Sequence, residues 1–583
     1  TWCIGHLVSL AEAGAYEERY KKWNYEDLPI LPEVWQHVVS PGKEKQFSIV
    51  KSLMDRPDVT ELVNGCDAGR EGELIFRLAV EMAGCTKPVW RLWISSMEDT
   101  AIREGFSNLE PGSRYEPLYH SALCRSKADW LIGINATRLF SVLYHKTLNV
   151  GRVQTPTLAM LAERDGKIML FQKKKYHHVR LDLNGLEAVS DRVDEKEKAV
   201  SMQTACQNGQ AVCVSLEREK KTVKPPKLYD LTTLQREANR LFGFTAKETL
   251  DYAQALYEKK LLTYPRTDSR YLTGDMAETV SAVAGLAAGL PLFSSVGGFT
   301  PDVAAVISDK DISDHHAIIP TEQYVQLSAL SNEERRIYDL VVRRFLAVLL
   351  PPCVYEETVI QASIEKECFT ARGKRMVEKG WQEAYEDNRY DDEDEAKEEV
   401  REQNLPLLQA GMKFDQSKIS LREGKTKPPA RFTEGTLLSA MENPVRYMEN
   451  RDSSLVKTIG EAGGLGTVAT RADIIEKLFR SFLLEKKGNE IYLTSKARQL
   501  LKLVPADLKK PELTASWEMQ LNEIAKGKKR RDAFMKEIRS YTVELIEEIK
   551  TEEGTFRHDN LTNKKCPNCG KRLLAVNGKN AKI

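Results

Sequence analysis

The chain contains no unbroken apolar run of about 18 residues, so it offers no candidate membrane-spanning helix. No secretory signal is visible in a sequence that opens on Thr1. Its ten cysteines are scattered singly except for Cys566-Pro-Asn-Cys569. That pattern excludes a disulfide framework and predicts a reducing, cytoplasmic setting with one metal-type knuckle. Internal repeats are absent. So is an ATP loop: Gly424-Lys425-Thr426 looks like the end of a Walker A sequence, but Ile419 stands where its leading glycine belongs. Gly464-Leu-Gly466-Thr-Val-Ala469 imitates a dinucleotide fingerprint, with no strand before it and no acid placed behind it in a βαβ context. Net charge is nearly absent too, at +1, which excludes nothing because two unequal regions can cancel.

What is present is a chain of 583 residues with 42% hydrophobic content, too long for one core and sufficient for about three to five domains. Residues 1–113 alternate short apolar runs with helical periodicity and predict an α/β domain. Residues 114–175 read as mainly helical, 176–230 as strands, 231–353 as a helical block and 354–427 as strands again. A helical insertion inside a β domain is therefore expected. Helices follow over 428–555, then a linker with the cysteine pair over 556–583. Between Ser121 and Lys175 ten Lys or Arg stand against three acids, while Glu383 to Glu402 is mostly Asp and Glu. The basic stretch suits a phosphate-tracking surface and equally an ordinary solvated helix face. The acidic run reads as a disordered loop tip.

The chemistry gathers around Leu261-Leu-Thr-Tyr264-Pro-Arg266-Thr-Asp-Ser-Arg270. Ahead of it Thr245 and Glu248 form a capping box. Leu250, Ala253, Leu256 and Tyr257 then recur at helical spacing before the basic end Lys259-Lys260, where the helix is expected to stop. Leu261 to Tyr264 reads as a short extended run, and Pro265 keeps Tyr264 out of the helical region. A phenol is thus held at a break in structure, two residues from a guanidinium. Attack on a phosphodiester needs such a cation beside the phosphoryl oxygens, and Tyr264 with Arg266 supplies the pair. A surface tyrosine beside a turn is the alternative.

Upstream, Glu61 to Asn64 reads as a strand, Asp67 to Gly72 as a turn, and Glu73 to Met82 as an amphipathic helix. Asp67 and Glu71 would then sit at the carboxyl end of a strand, where open α/β sheets place ligands. Two carboxylates on one tight loop suit Mg²⁺, which keeps several waters and takes one or two protein carboxylates. Acids favoured by a helix dipole are the alternative.

Thr263-Tyr-Pro-Arg-Thr-Asp-Ser269 resembles the active-site signature of type IA DNA topoisomerases, the bacterial topoisomerase III branch in particular. It is accompanied, in family order, by Thr1-Trp-Cys-Ile-Gly-His-Leu7, Asp67-Ala-Gly-Arg-Glu-Gly-Glu73, Ala128-Asp-Trp-Leu-Ile-Gly-Ile-Asn135 and Gly151-Arg-Val-Gln-Thr-Pro156. His315-His-Ala-Ile-Ile-Pro-Thr321, Gly464-Leu-Gly-Thr467 with Ala469-Thr-Arg471, and Leu513-Thr-Ala-x-Trp517-Glu518 complete the set. The resemblance runs over nearly the whole chain.

It implies a multidomain α/β plus α+β protein: a Toprim domain followed by a toroidal core enclosing a hole for DNA. It implies ATP-independent cleavage of single-stranded DNA through a 5′-phosphotyrosine on Tyr264, then strand passage and religation, relaxing negative supercoils and decatenating DNA. A catalytically impaired fragment that binds single strands is the alternative. Arg266 and His315 would act at the phosphate, His316 remaining structural, and Asp67 and Glu71 would hold Mg²⁺. Arg125, Trp130, Arg138, Asn149, Val150, Gly151, Arg152, Val153 and Gln154 would contact single-stranded DNA through stacking and phosphate contacts, with Arg471 a further phosphate candidate. Trp130 reads equally as core beside Leu131 and Ile132. DNA is the implied partner, the bacterial cytoplasm the implied setting, a helicase an allowed partner, and a monomer the expected state.

Two departures stand out. The family's common Asp-x-Asp-Arg-Glu-Gly pattern has Gly69 at its second acid, with Glu73 a weak substitute. No N-terminal Glu-Lys pair stands ahead of Thr1, and Cys566 with Cys569 is half of a zinc ribbon, so both ends read as cut and zinc is not expected to bind stably.

Overall fold

The structure is a computed structural model. It describes residues 5–583 apart from 97, 184–185, 291–295, 297–298, 313, 386–408, 415–417, 552–553, 557–560, 566, 568–571 and 575–583. Most of the acidic run, and both Cys566 and Cys569, lie outside the described residues.

Near the N-terminus, strand Leu62–Asn64 runs parallel to Val89–Arg91, with helix Arg70–Ala83 crossing between them and Glu110–Pro111 adding an antiparallel edge. Leu74, Leu78 and Ala83 turn one helical face inward, against Leu7, Val50, Met54 and Leu123. The helix begins three residues before the expected Glu73, because its first turn is polar and apolar periodicity starts only at Leu74. The crossover leaves Asp67 in the loop at the carboxyl end of the first strand.

Helix Glu116–Leu143 threads the main core. Ala128, Leu131, Ile132, Ala136 and Leu139 are buried there with Leu521, Ile538 and Leu545 of helices Pro511–Ala525 and Arg531–Thr551. Buried Asn135 accepts from the Ile30 N–H at 2.6 Å and donates to the Ile30 carbonyl at 2.9 Å, pinning an N-terminal loop to this helix.

Strands from two distant stretches build one antiparallel seven-stranded sheet, in the order Lys413–Phe414, Ala211–Val223, Cys353–Ile364, Glu367–Glu378, Leu186–Ser190, Lys175–Leu183 and Lys418–Lys425. Alternate residues such as Val179, Leu181, Ile360, Ala362 and Phe369 form its own core. Between the two stretches lie helices Leu231–Phe242, Ala246–Glu258 and Asn332–Leu349, all opening on side-chain caps. Within 428–555 the expected helices are interrupted by a hairpin, Leu484–Lys487 with Glu490–Leu493. Its charged first strand carries no apolar alternation to reveal it. Among the described residues no helix is long and apolar enough to cross a membrane.

Candidate active site

Helix Ala246–Glu258 starts at the expected capping box: Thr245 Oγ1 accepts from the Glu248 N–H at 3.1 Å, and the Glu248 carboxylate accepts from the Thr245 N–H at 2.8 Å. It stops where the basic pair stands. Lys260 turns left-handed at φ 61°, and the Leu261 N–H reaches back to the Leu256 carbonyl at 2.9 Å. The chain then pairs with a segment far downstream. Leu262 lies opposite Pro320, the Thr263 N–H donates to the Ile319 carbonyl at 3.0 Å, and Thr263 Oγ1 donates to the Ala317 carbonyl at 3.0 Å. Thr267 Oγ1 donates to the His315 carbonyl at 2.9 Å.

This stitching brings the rings of Tyr264 and His315 to a centroid separation of 4.6 Å. Burial raises the Tyr264 phenol pKa; Arg266 pulls it down, and Asp67 adds to the rise. Arg266 is aimed by Gln254 on the preceding helix, to whose amide oxygen Nη1 donates at 2.7 Å. His316 makes a 2.9 Å contact from Nδ1 to the Ala317 carbonyl, and burial lowers its pKa, as befits a structural histidine.

His315 also faces the α/β unit. Its Nε2 lies 3.5 Å from Asp67 Oδ1, and that contact holds the Asp67 carboxyl below its usual range against the opposing effect of burial. Glu71 lies 3.4 Å from His6 Nε2 and 3.6 Å from Arg125 Nη1. Burial works to raise the Glu71 pKa, yet His6 and Arg125 prevail and lower it. The Asp67 and Glu71 side chains remain 47% and 45% exposed, open to the cleft between the two units.

Arg91 braces this loop from below, donating to the carbonyls of Asn64, Cys66 and Asp67 at 2.8, 2.7 and 2.5 Å. Glu73, only 1% exposed, is ion-paired at 2.8 Å with both Arg77 and Arg91 and accepts from Asn64 at 2.9 Å. It is spent on the brace and unavailable to a cation. Gly72 is obligatory here, since a Cβ would stand 2.1 Å from the Asp67 carbonyl. A Cβ on Gly69 would stand 2.4 Å from Asp314 Oδ2. Burial pushes the Asp314 carboxyl up to about 6; His315 opposes this, and Asp268 and Asp67 add to it. Among the described residues no three Asp, Glu, His or Cys side chains gather closely enough to hold a metal ion as a group. Mg²⁺ requires only one or two carboxylates beside its waters, and the half-exposed acids of this loop meet that requirement.

The expected DNA-contact residues fall into different environments. Asn149 Nδ2 donates to Ser481 Oγ at 2.7 Å, the buried Val150 N–H to Thr137 Oγ1 at 3.1 Å, and the Gly151 N–H to Thr155 Oγ1 at 3.2 Å. Val153 caps helix Gln154–Met169, where Gln154 Oε1 is buried with no hydrogen-bond partner among the described residues. Trp130 donates from Nε1 to the Ala11 carbonyl at 3.0 Å and sits edge-on to Tyr16 and Trp35, at 5.6 and 5.4 Å. Arg138 donates to the Tyr20 carbonyl at 2.7 Å and lies over the exposed ring of Trp23 at 5.4 Å.

Arg152 is buried between Asp129, at 2.9 Å, and Glu518, at 3.2 Å, and lies over the Trp517 ring at 5.2 Å. Glu518 also takes Arg70 at 2.8 Å and Arg125 at 3.5 Å. Burial opposes its ionisation, but Arg125, Arg70 and Arg152 together bring its pKa down to about 2. Arg471, like Arg152, is buried, so neither expected DNA contact reaches solvent. Arg471 is 1% exposed and spends its guanidinium on Thr232 Oγ1 at 3.0 Å and on the Gly463 carbonyl, so it braces a turn and reaches no solvent-borne phosphate in this arrangement. Sequence reasoning assigned no role to His6, Arg70, Arg91, Gln254, Asp314 or Glu518. Four of these stand inside or beside quoted motifs, whereas Arg91 and Gln254 carry no sequence signal.

A tyrosine between an arginine and a histidine, faced by carboxylates from a separate α/β unit, narrows the class to proteins that place a phenol and an acidic loop across one cleft. The fold is similar to that of full-length topoisomerase I from Thermotoga maritima, with a TM-score of 0.71 at 23% identity, covering 99% of this chain and 91% of that one. A family model described as DNA topoisomerase matches residues 113–536. The chain is 49% identical to DNA topoisomerase 3 of Bacillus licheniformis and 48% identical to that of Bacillus subtilis, in each case over 99% of this chain and 81% of the relative. The chain belongs to the type IA DNA topoisomerases, in the topoisomerase III branch.

Proposed function

We propose that Tyr264 is the nucleophile of a Mg²⁺-dependent, ATP-independent cleavage and religation of single-stranded DNA, with the α/β unit acting as a Toprim domain and the remaining domains enclosing a toroid. The observation that carries this reading is the chain of contacts from the Tyr264 ring to His315 at 4.6 Å and on to Asp67 at 3.5 Å, across the two units. A phenol is protonated at neutral pH, and burial favours that form further, so its proton must leave as Oη bonds to phosphorus. Arg266 favours the phenolate and faces the charge growing on the phosphoryl oxygens. His315 hydrogen-bonds the phosphate. The P–O3′ bond breaks, the 3′-oxygen takes up a proton, and the 5′-phosphate stays esterified to Tyr264. Asp67 and Glu71 would hold the cation, which would supply further positive charge at the phosphate. The phosphotyrosine conserves the bond energy, and the 3′-hydroxyl reverses the reaction without ATP.

The exposed Trp23 ring and the polar loop 149–154 would line the approach of the strand, offering stacking and hydrogen bonds, with Arg152 held back in its pairing with Asp129 and Glu518. The protein would act on negatively supercoiled or catenated DNA in the bacterial cytoplasm. Tyr264→Phe is expected to abolish covalent capture while sparing binding, because only the hydroxyl forms the linkage. Denaturing gels of the full-length protein with an end-labelled single strand test this: protein still attached to a 5′ end in the variant overturns the reading.

A further inference from the structure

Resting on the reading of loop 149–154 as part of the strand's path, we infer that Phe482, with Lys496 and Lys146 beside it, forms a further station for single-stranded DNA. There the ring stacks on one base and the two ammonium groups meet the neighbouring phosphates. The station lies where helix Val468–Arg480 ends and the hairpin Leu484–Lys487 with Glu490–Leu493 begins. Phe482 sits there in the left-handed region at φ 55°, which glycine occupies freely and a Cβ makes costly. Its backbone turn closes the helix: the Phe482 N–H donates to the Phe479 carbonyl at 2.9 Å, and the Leu483 N–H to the Leu478 carbonyl at 3.0 Å. None of this needs a ring. The ring is nonetheless 77% exposed, so it adds little to any core. An aromatic held at a backbone cost, with no burial to offset it, is the kind of outlier that gathers at binding surfaces.

Its neighbours identify what the ring meets. Ser481 joins three segments: its Oγ accepts from Asn149 Nδ2 at 2.7 Å, and its carbonyl accepts from Lys496 Nζ at 2.8 Å. Phe482 therefore follows directly on the residue that anchors loop 149–154. Burial, then the Lys146 ammonium, bring the Lys496 pKa down to about 8, and among the described residues no carboxylate offsets them. Two half-buried lysines brought together in this way are relieved by an anion. His145, next to Lys146, is also left-handed at φ 51°, so two of the four non-glycine residues with positive φ among the described residues stand beside Ser481 and Lys146. An exposed aromatic face beside paired cations matches a nucleic-acid strand with unstacked bases, whose π-faces and phosphates alternate. Stacking of this kind tolerates any base, so the station adds affinity and holds the strand without reading its sequence.

The test pairs fluorescence anisotropy of a labelled oligothymidylate, bound by the full-length protein, with thermal melting of the protein alone. Phe482→Gly removes the ring and relieves the backbone. Affinity is expected to fall roughly fivefold to a hundredfold, the range for one base stacked on an aromatic side chain, while the melting temperature holds or rises. A purely structural role for the ring predicts the opposite, a lowered melting temperature. Phe482→Trp keeps a stacking face and should keep the wild-type affinity. Lys496→Gln should reduce the log–log salt slope of binding by about 0.7, the share of one phosphate contact on a single strand. The assignment is overturned by unchanged affinity in Phe482→Gly, by a melting temperature that falls along with the affinity, by lost affinity in Phe482→Trp, or by an unaltered salt slope in Lys496→Gln. Each of these leaves the reading of loop 149–154 standing. A wild-type protein that binds no oligothymidylate overturns both.

Discussion

Glu518→Gln should be among the most damaging substitutions outside the tyrosine loop, although residue 518 lies far in sequence from the residues it joins. Its carboxylate, buried at 4% side-chain exposure, is shared by Arg70 of the α/β unit, Arg125 of the long helix and Arg152 at the start of the next. Glutamine keeps the shape, so no cavity contributes; what is lost is the charge facing three guanidiniums. The gap between the ordinary 4.5 and the folded value of about 2 corresponds to about 3 kcal/mol. Removing one partner of a buried ion pair typically costs about 3–5 kcal/mol, which agrees. Because Glu518 is depressed on folding, its contribution is complete above pH 4.5 and drains away as pH falls through about 2. Urea unfolding of wild type and variant, followed by tryptophan fluorescence, should therefore show a gap of about 3 kcal/mol at pH 7 that narrows steadily on acidification. Arginines released from Glu518 gain phosphate as an alternative partner. The salt dependence of single-strand binding should steepen in the variant, by about 0.7 in log–log slope for each phosphate contact added. A variant as stable as wild type at pH 7, or a gap indifferent to pH, refutes the account of this hub.

Arg266→Ala removes a guanidinium but not the nucleophile, and single-turnover cleavage should slow by about 10²- to 10³-fold; slowing of only a few-fold would make Arg266 a bystander at the turn. Gly72→Ala would drive a methyl group to 2.1 Å from the Asp67 carbonyl, so the acidic loop must move. Overpacking of this kind costs about 1–3 kcal/mol, and the expected result is a lowered melting temperature together with weakened Mn²⁺ binding; unchanged values for both would show that the loop yields freely.

Local rules reached the elements that local rules determine. Thr245 and Glu248 announce a helix start through their own hydrogen bonds, and Leu74 and Leu78 announce a buried face through spacing alone. What stayed hidden depends on partners distant in the chain. Arg152 and Arg471 look in the sequence like any other basic residues of a DNA-binding surface. Arg152 is buried because Glu518 lies across from it, 366 residues on, and Arg471 because Thr232 lies 239 residues before it. Gly69 reads in isolation as a lost acid. Only the folded chain shows that its missing side chain is what gives the Asp314 carboxylate room.

The two halves of the site are held by separate means, and this bears on how a strand could pass. Arg91 and Glu73 fix the acidic loop from within the α/β unit, while Thr263 and Thr267 fix Tyr264 against His315 from within the other. Among the described residues, polar contacts between the halves include His315 with Asp67 at 3.5 Å and Thr279 Oγ1 with Glu98 at 3.2 Å. Parting these pairs exposes groups that water solvates readily, so their loss costs less than the loss of an equal area of apolar core. Neither half need deform if the two part. The phenol, His315 and Asp67 are collected only in the closed arrangement, so in the proposed cycle bond breakage and resealing are confined to that state, and the open state carries the broken strand with its chemistry suspended.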